Sequence, residues 1–249
     1  MVDRRQVLAG AAGVAFLLAA EAVAQASPAP AAASPESPYA VTYIEVAPAQ
    51  ADAARGLLAR YREALRDNAP KDGGPLAFTV FEQIGRPNHF AIVERWPNAK
   101  AREDNAASAL GQSFRSALAP LLIAPYDERP HFALSVGAPP VGAPSSSVTP
   151  PTLAGLFVIT HVDLVPPRRE DGVAAVRTLA ERSAGAAGNL RFDALVQASR
   201  LNHLTLVEGW TDAAAQEAHS TADATRSFRA SLGSMSGALY DERLYTLLK

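Results

Sequence analysis

Nine residues after Trp210 the chain places His219, and nine further on come Phe228 and Arg229; Trp96, Asn105, Phe114 and Arg115 stand in the same relation. A histidine can take or give a proton near neutral pH. An arginine can hold a developing anion, and a tryptophan offers a flat wall to a flat ligand. Glu208 lies two residues before Trp210 and Glu94 two before Trp96, so on a strand each carboxylate shares a face with its tryptophan. Asparagine can bind a substrate oxygen but takes no proton at neutral pH. Proton chemistry therefore falls to the second set, with His219 and Arg229 as the catalytic candidates. Trp210, Glu208, Asn105, Trp96 and Arg115 are the substrate-binding candidates.

Each residue also has a structural reading. His219 could face solvent or cap a helix, and the tryptophans could anchor the core at a strand-to-helix corner. Arg115 and Arg229 could be salt-bridge partners. The buried glutamates need partners, and Arg243 or Arg129 is the expected one.

The two sets belong to a repeat. At a shift of 114, Asn88-His89 falls on Asn202-His203, Val93-Glu94 on Val207-Glu208, Ser113-Phe114-Arg115 on Ser227-Phe228-Arg229, and Tyr126-Asp127-Glu128-Arg129 on Tyr240-Asp241-Glu242-Arg243. From Pro87 to His131 against Leu201 to Tyr245, 17 of 45 positions are identical, where chance gives roughly 3. Upstream, Thr42-Tyr43-Ile44-Glu45 matches Thr160-His161-Val162-Asp163 at a shift of 118. The first copy thus carries four extra residues, placed in the polar stretch from Asp67 to Gly74.

Periodicity lays out each copy. Val41 to Val46 and Leu156 to Leu164 read as strands. Leu57, Leu58, Tyr61 and Leu65 share one helical face, as do Val173, Val176 and Leu179. Leu76 to Phe81 and His89 to Trp96, with Leu190 to Val196 and His203 to Trp210, read as hairpins. Asn98 and Asp212 are N-caps of a second helix running toward Ala109 and Asp223, a further helical stretch spans Ser113 to Leu121 and Arg226 to Met235, and the repeated YDER segment closes each unit as a strand. The order β-α-β-β-α-β is the ferredoxin-like plan, so the fold class is α+β. One four-stranded sheet with helices on a single face leaves its other face bare. The two sheets are expected to cover each other within one chain, with the YDER strands closing equivalent sheets. An unpaired sheet edge would then allow further homo-oligomer formation.

The flanks carry different signals. Residues 1–26 have Arg4-Arg5, an apolar run from Val7 to Ala20 and small residues up to Ala26, the layout of a signal peptide of twin-arginine character, with ordinary secretion or an uncleaved amphipathic lead as the alternatives; a signal implies export to the periplasm. The apolar run is too short for a stable membrane span. Residues 27–38 and 137–152 are rich in Pro, Ser, Ala or Gly and read as a disordered lead and a linker, leaving 39–136 and 153–249 as the repeats. No cysteine is present, which excludes disulfides, thiolate nucleophiles and thiolate metal sites. A net charge of −2 and the lack of a basic run in the mature chain argue against nucleic acid as partner and for a small molecule. No two histidines have metal-ligand spacing, and HExxH, glycine-rich phosphate loops and GxSxG are missing.

With Glu208-Gly209-Trp210, His219 and Phe228, preceded by Ala187-Gly188-Asn189-Leu190-Arg191-Phe192, and with Glu94-Arg95-Trp96 and Phe114 in the first copy, the chain resembles the antibiotic biosynthesis monooxygenase family of dimeric α/β barrels. The resemblance covers nearly all of the mature chain. It implies an intrachain version of that barrel and a monooxygenase that needs no cofactor, using O2 on a quinol-like or polycyclic aromatic substrate. The alternative on the same fold is a non-catalytic ligand-binding or scaffold protein. In the family's haem-degrading branch the places held here by Thr160, His219 and Arg229, or Thr42, Asn105 and Arg115, carry Asn, Trp and His. All three differ in both copies, so haem ligation by that route is not expected.

Overall fold

The computed structural model describes residues 39–68, 73–136 and 155–248. The signal-like segment, the lead and the linker lie outside the described residues. Among the described residues no helix is long and apolar enough to cross a membrane.

The first repeat runs β1 (Tyr39–Glu45), α1 (Ala51–Asn68), β2 (Ala77–Gln83), β3 (His89–Arg95), α2 (Ala99–Ala107), α3 (Ala109–Leu118) and β4 (Asp127–Val136). The second runs β5 (Leu156–Asp163), α4 (Arg169–Ala184), β6 (Asn189–Gln197), β7 (His203–Trp210), α5 (Ala213–Ser220), α6 (Asp223–Leu232) and β8 (Asp241–Leu247). The expected plan holds, and the second helix and the further helical stretch of each repeat are separate helices, α2 and α3 in the first and α5 and α6 in the second. Asn98 and Asp212 cap α2 and α5, their Oδ1 atoms accepting from the amides of Ala101 and Ala215 at 2.8 and 2.9 Å. Leu58, Tyr61 and Leu65 are the buried stripe of α1, while Leu57 sits at its half-buried margin.

All eight strands close one barrel in the order β1-β3-β2-β8-β5-β7-β6-β4. Each YDER strand pairs with the first strand of its own repeat and with the second strand of the other: β4 with β1 and β6, β8 with β5 and β2. The closing strands are therefore seams rather than members of two separate facing sheets. The apolar inner faces still cover each other as expected: Tyr39, Val41, Phe81 and Val93 from one repeat pack with Phe157, Ile159, Leu195 and Val207 from the other. Closure leaves no unpaired edge among the described strands, which removes edge pairing as a route to further assembly.

Alternation sends the other strand residues outward against the helices. Phe78, Phe90, Ile92 and Phe114 form one such core, and Phe192, Leu204, Leu206, Trp210 and Phe228 the other. The repeated Asn-His pair stabilises the barrel's end. Asn88 and Asn202 donate to the carbonyls of Val46 and Leu164 at 2.9 and 2.8 Å, and His89 and His203 lie beside Glu45 and Asp163.

Candidate active site

Glu208 and Trp210 project from the end of β7 toward the helices, in the register of Val158 and Phe192. Trp210 Nε1 donates to Glu208 Oε2 at 3.0 Å. His219, in the last turn of α5, stacks on the indole with ring centroids 4.4 Å apart and planes 25° apart. Its Nε2 lies 3.4 Å from Thr225 Oγ1 and 3.6 Å from Glu208 Oε2. The ring is 8% exposed, so it neither faces solvent nor caps the helix. The structure brings Glu208, Trp210 and His219 together.

The electrostatics follow from dryness. Burial raises the Glu208 carboxyl to about 7, against the Trp210 hydrogen bond, which lowers it. Burial lowers His219 to about 4, and the charge of Arg229 lowers it further. Both groups are pushed toward their neutral forms, so the 3.6 Å contact is a meeting of imidazole and carboxylic acid over a broad range below neutrality. Neutral imidazole has a free lone pair, which is what a base requires.

The expected partners of the glutamates are corrected. Arg129 and Arg243 lie opposite Val41 and Ile159, inside the barrel, where they pair with Asp127 and Asp241. Glu94 lies opposite Ala40 and Phe78 on the helix side. Alternation thus puts the arginines and glutamates on opposite faces of the sheet. Each glutamate instead accepts from its own tryptophan, Glu94 from Trp96 Nε1 at 2.8 Å. Glu94 too is raised to about 7 by burial.

Arg229 donates to Glu242 Oε2 at 2.7 Å and to the Ser220 carbonyl at 2.9 Å. Arg115, with Arg102, is bound to Glu128 and stacks over Tyr126. The arginines are thus tied to the glutamate of YDER, a role the sequence reading did not assign to Glu128 or Glu242. The signal was present: in both repeats that glutamate follows the arginine by thirteen residues.

In the first repeat Asn105 holds the place of His219, but its Nδ2 donates to Tyr61 Oη at 2.9 Å, and Tyr61 stacks on Phe114. Trp96 and Asn105, with Leu65 and Leu110, line a cleft of about 730 Å³ between the helices and the loop Gly73–Pro75. Room for a ligand is thus seen in the first repeat, while the candidate base is in the second. Tyr61 and Thr225 were missed from sequence; neither is repeated, and each reaches its partner only after folding.

Residues 155–231 match the family model described as antibiotic biosynthesis monooxygenase. No curated protein matches the chain. Among solved structures, a protein of Fusobacterium nucleatum named "Putative monooxygenase" superposes with a TM-score of 0.73 at 13% identity, covering 86% of this chain and 93% of its own. One of Lactobacillus acidophilus with the same name has a TM-score of 0.67 at 12% identity, covering 86% and 95%. An "anthrone oxidase-like protein" has a TM-score of 0.64 at 12% identity, covering 86% and 92%. At these identities the likeness is one of fold, and it runs across both repeats. The sequence match places residues 155–231 in the antibiotic biosynthesis monooxygenase family, and the first repeat, identical to the second at 17 of 45 aligned positions, closes with it into a single barrel.

Proposed function

We propose that the chain is a monooxygenase that uses O2 on an electron-rich aromatic substrate of the quinol or anthrone type, with His219 as proton acceptor. The observation that carries this reading is the buried, neutral imidazole held against Trp210 and beside Glu208. A phenolic or anthrone-type compound, once deprotonated, can itself give an electron to O2, so the protein has to supply a base and a dry enclosure. For an anthrone-type ring methylene the steps balance as follows. His219 takes one C–H proton, the carbanion passes an electron to O2, and the two radicals join as a peroxide. Imidazolium returns the proton, and loss of water with the second C–H hydrogen leaves a carbonyl. The net change is CH2 plus O2 to C=O plus water, with every electron supplied by the substrate.

A binding role without chemistry is the second reading. It is favoured by Arg229, the expected anion holder, being spent on Glu242 and the Ser220 carbonyl. Turnover under 18O2 separates the two: one labelled oxygen in the product and the other in water supports the monooxygenase, and unlabelled, unchanged substrate supports the binding protein.

A further inference from the structure

The two ring nitrogens of His219 have different surroundings. Nε2 faces Thr225 Oγ1 at 3.4 Å and Glu208 Oε2 at 3.6 Å. Among the described residues Nδ1 has no hydrogen-bond partner. The ring is buried and neutral, so it carries one N–H and one lone pair. A buried N–H that meets no acceptor is destabilising. The proton therefore belongs on Nε2, which has two oxygens in front of it, and the lone pair is left on Nδ1. The reverse arrangement, with Thr225 donating to a bare Nε2, would put the proton on Nδ1, where no acceptor waits. Of the two oxygens, Glu208 Oε2 already accepts from Trp210 at 3.0 Å. Thr225 Oγ1 is the nearer, is buried, and among the described residues has His219 as its one side-chain partner.

Comparison of the repeats shows that the pair is built as a unit. Thr225 matches Gly111, as His219 matches Asn105. A Cβ at Gly111 would stand 2.2 Å from the Asn105 carbonyl oxygen, so the junction of α2 and α3 admits no side chain there. Asn105 turns to Tyr61 instead. In the second repeat α5 ends at Ser220, the match of Ala106, one residue sooner than α2. Threonine takes the place of Gly111, and the place of Tyr61 is held by Leu179, whose side chain offers no hydrogen bond. We propose that Thr225 is a positioning residue: by accepting from Nε2–H it holds His219 in the tautomer whose lone pair is on Nδ1, and Nδ1 is the atom that takes the substrate's proton. The tautomer is independent of any reaction; the role of Nδ1 rests on the monooxygenase reading. Glu208 faces the same nitrogen as Thr225, so the imidazolium formed by protonation at Nδ1 is met by that carboxyl on its far side.

Long-range 1H–15N correlation NMR of the purified, 15N-labelled protein reads the tautomer directly. The chain has five histidines, and the His219 ring is assigned by its loss in His219→Gln. At about pH 6, below the Glu208 value of about 7 and above the His219 value of about 4, both groups are neutral. Wild type should show the proton on Nε2 and Nδ1 bare. In Thr225→Val, close in shape but without an acceptor, the ratio of Nε2–H to Nδ1–H falls roughly tenfold, the worth of one hydrogen bond. Thr225→Ser keeps the wild-type ratio, and Thr225→Ala takes the place of the valine variant should that one not fold. With a substrate that is turned over, kcat falls by a similar factor in Thr225→Val with KM little changed, and serine restores it. A proton on Nδ1 in wild type, or an unchanged ratio in Thr225→Val, overturns the proposal. The expected tautomers in a protein that consumes no O2 leave Thr225 as the residue that orients His219 and remove the role of Nδ1. O2 uptake dependent on His219 with the proton found on Nδ1 does the reverse: it overturns this inference and leaves the monooxygenase reading standing.

Discussion

His219 lies face to face with Trp210 at 4.4 Å, whereas Asn105, at the matching place in the first repeat, is hydrogen-bonded to Tyr61. One duplicated strand-helix corner has become two different environments. In each, the tryptophan's N–H is the hydrogen-bond donor to a buried glutamate.

The glutamates should lower stability as pH rises. Below the ordinary value of 4.5 folded and unfolded chains are both protonated; between 4.5 and about 7 the unfolded chain loses a proton that folded Glu208 keeps. Stability therefore falls across that window, by on the order of 3 kcal/mol for one group. Glu208→Gln removes this loss while keeping an acceptor for Trp210. Thermal unfolding should show the variant level with wild type at about pH 4.5 and more stable above about pH 7. A difference independent of pH would refute the assignment. The buried histidines act in the opposite direction in both proteins and cancel in the comparison.

In the proposed reaction the same carboxyl should set the pH dependence of turnover. His219, lowered to about 4, is neutral over the working range. Glu208 becomes a carboxylate only above about 7, and its charge then stabilises the imidazolium formed during proton abstraction. The kcat/KM profile should rise through neutrality in wild type, and the rise attributable to the enzyme should vanish in Glu208→Gln. A limb that survives the substitution belongs to the substrate.

Two glycines with the same backbone sign should respond differently to alanine. Gly85, at φ +80°, has open space around it, while Gly188, at φ +76°, would drive a Cβ into Ala215 and Thr211. Gly85→Ala should cost about 1 kcal/mol, the strain of the backbone alone. Gly188→Ala should cost at least about 2 kcal/mol, since strain and overpacking add. Denaturant midpoints check the order; equal losses would mean that the loop yields freely.

Much of the fold was legible because duplication doubles every signal. The shift of 114, the capping residues Asn98 and Asp212, and Glu-x-Trp at the end of a strand are all local patterns, and local patterns survive without register. What failed was relational. Arg129 or Arg243 is the partner the sequence suggests for the buried glutamates, yet alternation puts Arg129 and Glu94 on opposite faces, and only the pairing of β1 with both β3 and β4 reveals this. Barrel closure rests on contacts between repeats, such as the three residue pairs joining β2 to β8. The Asn105–Tyr61 bond spans 44 residues.

The most direct test of the central claim is O2 consumption by the purified protein with reduced naphthoquinols and anthrones, comparing wild type with His219→Ala, both shown to be folded by near-UV circular dichroism. The account predicts substrate-dependent uptake in wild type that falls by at least about a hundredfold in the variant, the usual contribution of a positioned base. Uptake unchanged in His219→Ala, or no enzyme-dependent uptake with any of these substrates, would contradict it.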